Sequence, residues 1–256
     1  MRDGVWLHAV ARDLEPGAVD GLVGVAGGAV RTVGAGALTA AVCPVDLAEF
    51  GEEALRRNLE DLAWLDRAAR AHHAVVAALA REHAVVPARL ATVYHDDAGV
   101  LEMLRQRHDE LEAVLDRVGG RAEWGVKMYA EPPTSQAGEP TGPSAGRPGT
   151  AYLERRRARL AADDVWRQRA AEGAEATHLA LAADAAAARR HPPQDHRLTG
   201  RAETMVLNGA YLVDRGRAGP FADLVAAQAA RHAELSLELT GPWPPYSFTG
   251  TEPAPP

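Results

Sequence analysis

"RAEWGVKMY", residues 121–129, sets Ala122, Trp124, Val126 and Met128 alternating with Arg121, Glu123, Gly125 and Lys127. Successive side chains of a strand point to opposite faces, so this pattern predicts a half-buried β-strand. Working downstream, residues 151–190 are rich in Ala, Arg and Glu and predict helix, with Gly173 as a break between two helices and His191-Pro192-Pro193 as a stop. A projecting antiparallel helical hairpin is the expected result. Short β-like residues around Arg197–Arg201 follow, then "TMVLNGAYLVD" (204–214) as a buried strand. Gly219-Pro220 opens a helix whose one side carries Phe221, Leu224, Val225, Gln228 and His232. Leu235, Leu237 and Leu239 then alternate with Ser236, Glu238 and Thr240, the clearest two-residue period in the chain. The order β, helices, β, β, α, β is that of a split βαβ, ferredoxin-like domain with an enlarged first crossover.

The upstream half predicts a separate α+β unit. Residues 4–10 read as a strand, and "AVRTV" (29–33) and "ALTAAVCPV" (37–45) as two more turning at Gly34-Ala35-Gly36. Leu55, Leu59, Leu62, Leu65, Ala69, His72, Val76 and Leu79 recur at helical spacing and predict one long helix. "AVVPARLATVY" (84–94) is β-like, with Pro87 suited to an edge. Leu101, Leu104, His108, Leu111, Leu115 and Val118 predict a single amphipathic helix ending at Gly119-Gly120. The expected fold class is therefore α+β with two domains, 1–119 and 120–256. The second is a modified ferredoxin-like domain with an added helical insertion at 151–190. Its segment 131–149, "EPPTSQAGEPTGPSAGRPG", lacks the apolar bulk to offset ordering and reads as a mobile loop.

Several function classes are disfavoured. A net charge of −7 over 256 residues gives no electrostatic footprint for nucleic acid. No stretch approaches the ~18 apolar residues of a membrane span, and "MRDGVWLHAVARD" lacks the plan of an export signal, so a cytoplasmic protein without a lipid-membrane partner is expected. The glycines of "GVAGGAVRTVGAG" (24–36) lie between strands rather than at a helix N-terminus and do not make a dinucleotide site. No histidine pair has the spacing of a metal-binding helix; His72 and His108 fall in core-facing slots, and His95-Asp96-Asp97 reads as a helix cap. Cys43, alone in apolar "AAVCPVD", reads as an inert packed thiol. No cofactor, metal or catalytic set is expected.

Four segments, "EWGVKMY" (123–129), "GTAYLERR" (149–156), "LNGAYLVD" with "FADLV" (207–225), and "LTGPWPPYSF" (239–248), occur in an order that resembles the GvpF/GvpL gas vesicle protein family. "VVPARLATVY" (85–94) is similar to that family's Pro-x-Arg-Phe-Gly-Thr motif: Pro87, Arg89 and Thr92 match, while Leu90 and Ala91 depart from it. The resemblance implies a non-enzymatic accessory or minor structural protein of the gas vesicle that binds the hydrophobic shell protein GvpA and other Gvp accessory proteins. It also implies two α+β domains, the second ferredoxin-like with antiparallel helices. A shell subunit exposes apolar surface before assembly, and such surface aggregates unless covered. The alternative is a ferredoxin-like enzyme or small-ligand binder with a site assembled from distant residues.

"GPWPPYSF" (241–248) follows the clearest strand and cannot continue its ladder through the prolines, which lack an N–H. It reads as a clasp in which Trp243, Tyr246 and Phe248 either anchor the strand to its own domain or meet a partner. With Trp124, Lys127 and Arg89 of the family-like segments, these are the candidate partner-binding or structural anchor residues.

Overall fold

A computed structural model of the chain describes residues 3–131, 148–194 and 203–250, and shows a mixed helix-and-sheet protein. The chain divides into two compact units: Met1–Trp124 with Leu212–Arg215 and Gly241–Pro256, and Gly125–Tyr211 with Gly216–Thr240. The expected division at 119/120 thus differs in three places, because residues 120–124, Leu212–Arg215 and the segment after Thr240 group with the first unit.

The first unit is built on β1 (Asp3–Arg12), β2 (Arg31–Ala35), β3 (Leu38–Asp46), β4 (Val85–Pro87) and β5 (Val93–Tyr94). The sheet runs β2-β3-β1-β4 with antiparallel pairing, and β5 also pairs β1. Gly4 to Ala11 of β1 are all buried, which accounts for apolar residues at both alternations of a central strand. Pro87 pairs Ala9 from the short edge strand β4, where its missing donor is harmless. The β1–β3 register slips between Leu7 and Ala9, making His8 the extra residue of a bulge.

Two expected helices are each divided. α1 (Leu47–Phe50) and α2 (Glu52–Asn58) precede α3 (Leu62–Ala80), whose cap Asp61 accepts bonds from the N–H groups of Ala63 and Trp64. Local capping overrides the apolar period here, and Leu62 is left 79% exposed at the helix start. Likewise α4 (Asp97–Gln106) and α5 (His108–Val118) are separated at Arg107 (φ −104°, ψ 18°), so His108 is exposed rather than core-facing. Asp96 caps α4 through the Gly99 N–H at 3.0 Å, as the sequence suggests.

The second sheet contains β6 (Arg121–Ala130), β7 (Ala187–Arg190), β8 (Thr204–Asp214) and β9 (Leu235–Trp243), ordered β7-β8-β6-β9. Between its strands lie α6 (Pro148–Asp184) and α7 (Ala218–Arg231). α6 is one continuous 37-residue helix, not the expected antiparallel pair broken at Gly173. A Cβ on Gly173 would lie 2.9 Å from Leu235 Cδ1 and 3.3 Å from His232 Nδ1, so the glycine serves close approach rather than a break. Met128, Ala130, Ala170, Ala174, Leu207 and Leu235 form the core there. Most of the expected loop at 131–149 and the β-like residues from Arg197 to Gly200 lie outside the described residues, as does Arg201.

Candidate functional site

The C-terminal segment is fastened to the first unit by backbone geometry and by side chains from distant parts of the chain. At Gly241 (φ 119°) a Cβ would lie 2.9 Å from the Glu123 carbonyl oxygen and 3.4 Å from Trp124 Cα, so only glycine fits against β6. Beyond the prolines, Tyr246–Phe248 form a short 3-10 turn, with the Tyr246 N–H on the Pro244 carbonyl and the Phe248 N–H on that of Pro245. The Glu123 carboxylate accepts from both the Ser247 N–H (2.8 Å) and hydroxyl (2.7 Å). Arg117 donates to the carbonyls of Phe248 (3.0 Å) and Gly250 (3.3 Å).

From this clasp a file of rings runs inward. Trp243 lies 5.6 Å from His73 at 63°, His73 6.0 Å from Tyr246, Tyr246 6.4 Å from His72, and His72 stacks 5.2 Å from His8. The Tyr246 hydroxyl is 3.3 Å from His73 Nδ1. Burial, reinforced by the negative charge of Glu123, pushes that hydroxyl up to about 12, so it stays a neutral phenol.

The inner end of the file is a buried polar network, in which His8 Nδ1 is left without a hydrogen-bond partner among the described residues. The Trp6 indole N–H, a donor only, bonds His72 Nδ1 at 3.0 Å, which leaves His72 Nε2–H to donate to the Ala88 carbonyl at 3.2 Å. One neutral tautomer is thereby selected, and burial first, then the neighbouring His73, holds its pKa down at about 4. His8, on its bulge, is held at about 3 by burial first and by His72 second. His8 Nε2 lies 3.3 Å from Cys43 Sγ, and the thiol donates to the Val25 carbonyl at 3.7 Å. Burial pushes the thiol up to about 11. A neutral thiol beside a neutral imidazole, both 0% exposed, has no ready nucleophile and no route for a substrate. Among the described residues no His, Cys, Asp and Glu side chains group as a metal site.

The structure therefore brings together four of the six residues singled out from the sequence. Trp243 is 45% exposed, Tyr246 packs against the first unit's core, Phe248 is buried, and Trp124 is half-buried with its backbone under Gly241. Lys127 belongs to the second unit, where its ammonium donates to Gln194 at 3.3 Å. Arg89 is exposed in the turn before β5, and its carbonyl accepts from the Thr92 N–H and hydroxyl. The sequence reading missed His73, Arg117, Glu123 and Ser247 as clasp partners. His73 and Tyr246 are 173 positions apart, and no local pattern signals such a pairing.

Residues 4–250 match the family described as "Gas vesicle synthesis protein GvpL/GvpF". The chain is 43% identical to gas vesicle protein L of Streptomyces sp. (strain CB03234) over 248 residues, covering 96% of this chain and 92% of that protein. With gas vesicle protein F of the same strain it shares 29% identity, covering 74% of this chain and 80% of the relative. The fold is similar to the crystal structure of GvpF from Anabaena sp. PCC7120, with a TM-score of 0.71, 17% identity and 98% coverage of both chains. The segments quoted from the sequence and the match across residues 4–250 agree: this chain belongs to the GvpL/GvpF family of gas vesicle proteins and takes part in gas vesicle formation.

Proposed function

We propose that the protein is a non-enzymatic assembly factor that binds the hydrophobic shell protein GvpA together with other Gvp accessory proteins, acting in the cytoplasm and at the gas vesicle. The observation that carries this reading is the family match over nearly the whole chain. The closed, neutral state of the His8–Cys43 pair supports it on the side of chemistry, since the one thiol is packed rather than activated.

The second unit is a modified ferredoxin-like domain in this reading. Its elements run β6-α6-β7-β8-α7-β9, and its first and third strands, β6 and β8, are the central pair, flanked by the fourth and second. Partner contact is assigned to the clasp through Trp243, with Tyr246, Phe248 and Trp124 as its anchors, and to the exposed Arg89 and the half-buried Lys127. Among the described residues no helix is long and apolar enough to cross a membrane, so apolar contact falls to folded surface.

Co-expression tests the role directly. The shell protein made together with this chain is expected to shift into the soluble fraction and to co-purify with it. Unchanged solubility without co-purification overturns the proposal.

A further inference from the structure

A cleft of about 490 Å³ opens beside the clasp, and every residue lining it belongs to the first unit. Its volume falls within the ~300–1,000 Å³ usual for ligand clefts. One wall is Trp243 between Pro242 and Pro244, and the other is the end of α3 with Arg81 and His83.

Two properties of the lining select a ligand. Trp243 is the only aromatic among the large exposed apolar side chains of the described residues. His73 supports its ring, and prolines fix the backbone on either side, so the indole is presented with little conformational freedom left to lose. Rigid, half-exposed tryptophans are typical anchors of binding surfaces. The second property is charge. Three arginines, Arg81, Arg121 and Arg215, line the cleft against one carboxylate, Glu82, although the whole chain carries −7.

The arginines hold different positions in this balance. Arg215 donates to the carbonyls of Ala80 and Arg81, countering the negative end of the α3 dipole that faces the cleft. Arg121 pairs with Asp214 at 2.9 Å and donates to the Arg117 carbonyl. Arg81 is exposed at the mouth. With Asp214 counted beside Glu82, the three arginines leave one positive charge in excess at the cleft of an anionic molecule, which favours acidic partners over basic ones.

We infer that this cleft binds an extended acidic segment of a partner protein, with an apolar or prolyl residue packed on Trp243 and a carboxylate facing Arg81. The inference goes beyond the assembly role, because it concerns how a segment is gripped and holds whichever protein supplies it.

The test uses the full chain alone and a fluorescein-labelled peptide, Glu-Pro-Leu-Glu-Pro-Leu-Glu, followed by fluorescence anisotropy, with the same peptide carrying Lys for every Glu as control. Saturable binding of the acidic peptide is expected, with none of the basic one. Affinity is expected to fall about tenfold in Trp243→Ala and in Arg81→Glu, equivalent to ~1.4 kcal/mol, and to weaken as salt rises from about 50 to 500 mM. Arg81 is exposed, so its variant isolates charge from folding, and melting curves check both variants. Absence of saturable binding, equal binding of the two peptides, or unchanged affinity in either variant overturns the inference. Since no shell protein is in the assay, its result is separate from that of the co-expression experiment.

Discussion

Both units bury aromatic rings, with Tyr211 and Phe221 meeting at 5.7 Å in the second, but they differ in what packs where helix crosses sheet. In the first, large rings meet: Trp6 packs edge-on to Phe50 at 5.8 Å, Phe50 lies 5.5 Å from Trp64, and His72 and His8 fill the space between sheet and helix as neutral polar rings. In the second, where α6 crosses the strands, Ala170 and Ala174 lie against Met128, Ala130, Leu207 and Leu235, and Gly173 lets the helix approach. A core that buries titratable rings is vulnerable to protons. One that depends on small residues at a close crossing is vulnerable to added volume.

Acid is expected to separate the units most strongly. The folded pKa of His72 lies near 4, below its ordinary 6.5, so the unfolded chain takes up a proton first as pH falls. The stability this group contributes is complete above pH 6.5 and is lost progressively toward pH 4. At about 1.36 kcal/mol per unit of pKa, His72 alone removes about 3 kcal/mol over that window. His8, held at about 3, extends the loss further into acid. In the second unit burial also holds His178 and His191 below the ordinary range, but both are half-buried and the loss there is smaller. Four of the five tryptophans lie in the first unit, so denaturant melts followed by tryptophan fluorescence at pH 7 and pH 5 report on it. An unchanged midpoint between those two pH values would sink this account of the first core.

Volume gives the converse perturbation. Gly173→Val places its β-carbon 2.9 Å from Leu235 Cδ1 and adds two methyl groups beyond it. Overpacking of this kind costs about 1–3 kcal/mol, against a helix-propensity gain of less than ~1 kcal/mol over glycine. Hydrogen exchange should show faster opening in α6, β9 and their neighbours, with the amides of β1 and β3 unchanged. Equal loosening of β1 and β3 would contradict a cost confined to the crossing at Gly173.

What the sequence made legible follows the same division between local and distant causes. β1, β3 and the Asp96 cap rest on short-range patterns, and the sequence located them. The splitting of α3 from α2 was hidden because Leu55, Leu59 and Leu62 keep helical spacing through the turn that Asp61 caps. Gly173 was misread for a related reason: a glycine in a helix has the same local signature whether it breaks the helix or admits a neighbour, and the neighbour, Leu235, is 62 residues away. "GPWPPYSF" was recognisable as a stiff, aromatic segment, but its attachment to the first unit depends on Glu123, Arg117 and His73, which its own composition does not encode.

The smallest effect concerns the turn before β5 and sharpens the view of the first unit as a core under local compromise. Ala91 adopts φ 65°, the left-handed region, at the position where the resembled motif carries glycine. An L-residue with a Cβ pays roughly 1–2 kcal/mol there, while the Ala91 methyl packs at the edge of the first core. Ala91→Gly removes the backbone cost but also loses that methyl contact and gives the unfolded chain more freedom, each worth up to ~1 kcal/mol. Because the backbone relief is the larger of the opposing effects, a net gain of about 0.5 kcal/mol is expected, seen as a higher denaturation midpoint of the first unit with the second unchanged. A lower midpoint would mean that the methyl contact outweighs the strain, and that this chain keeps alanine at the turn for packing at the edge of its ring-filled core.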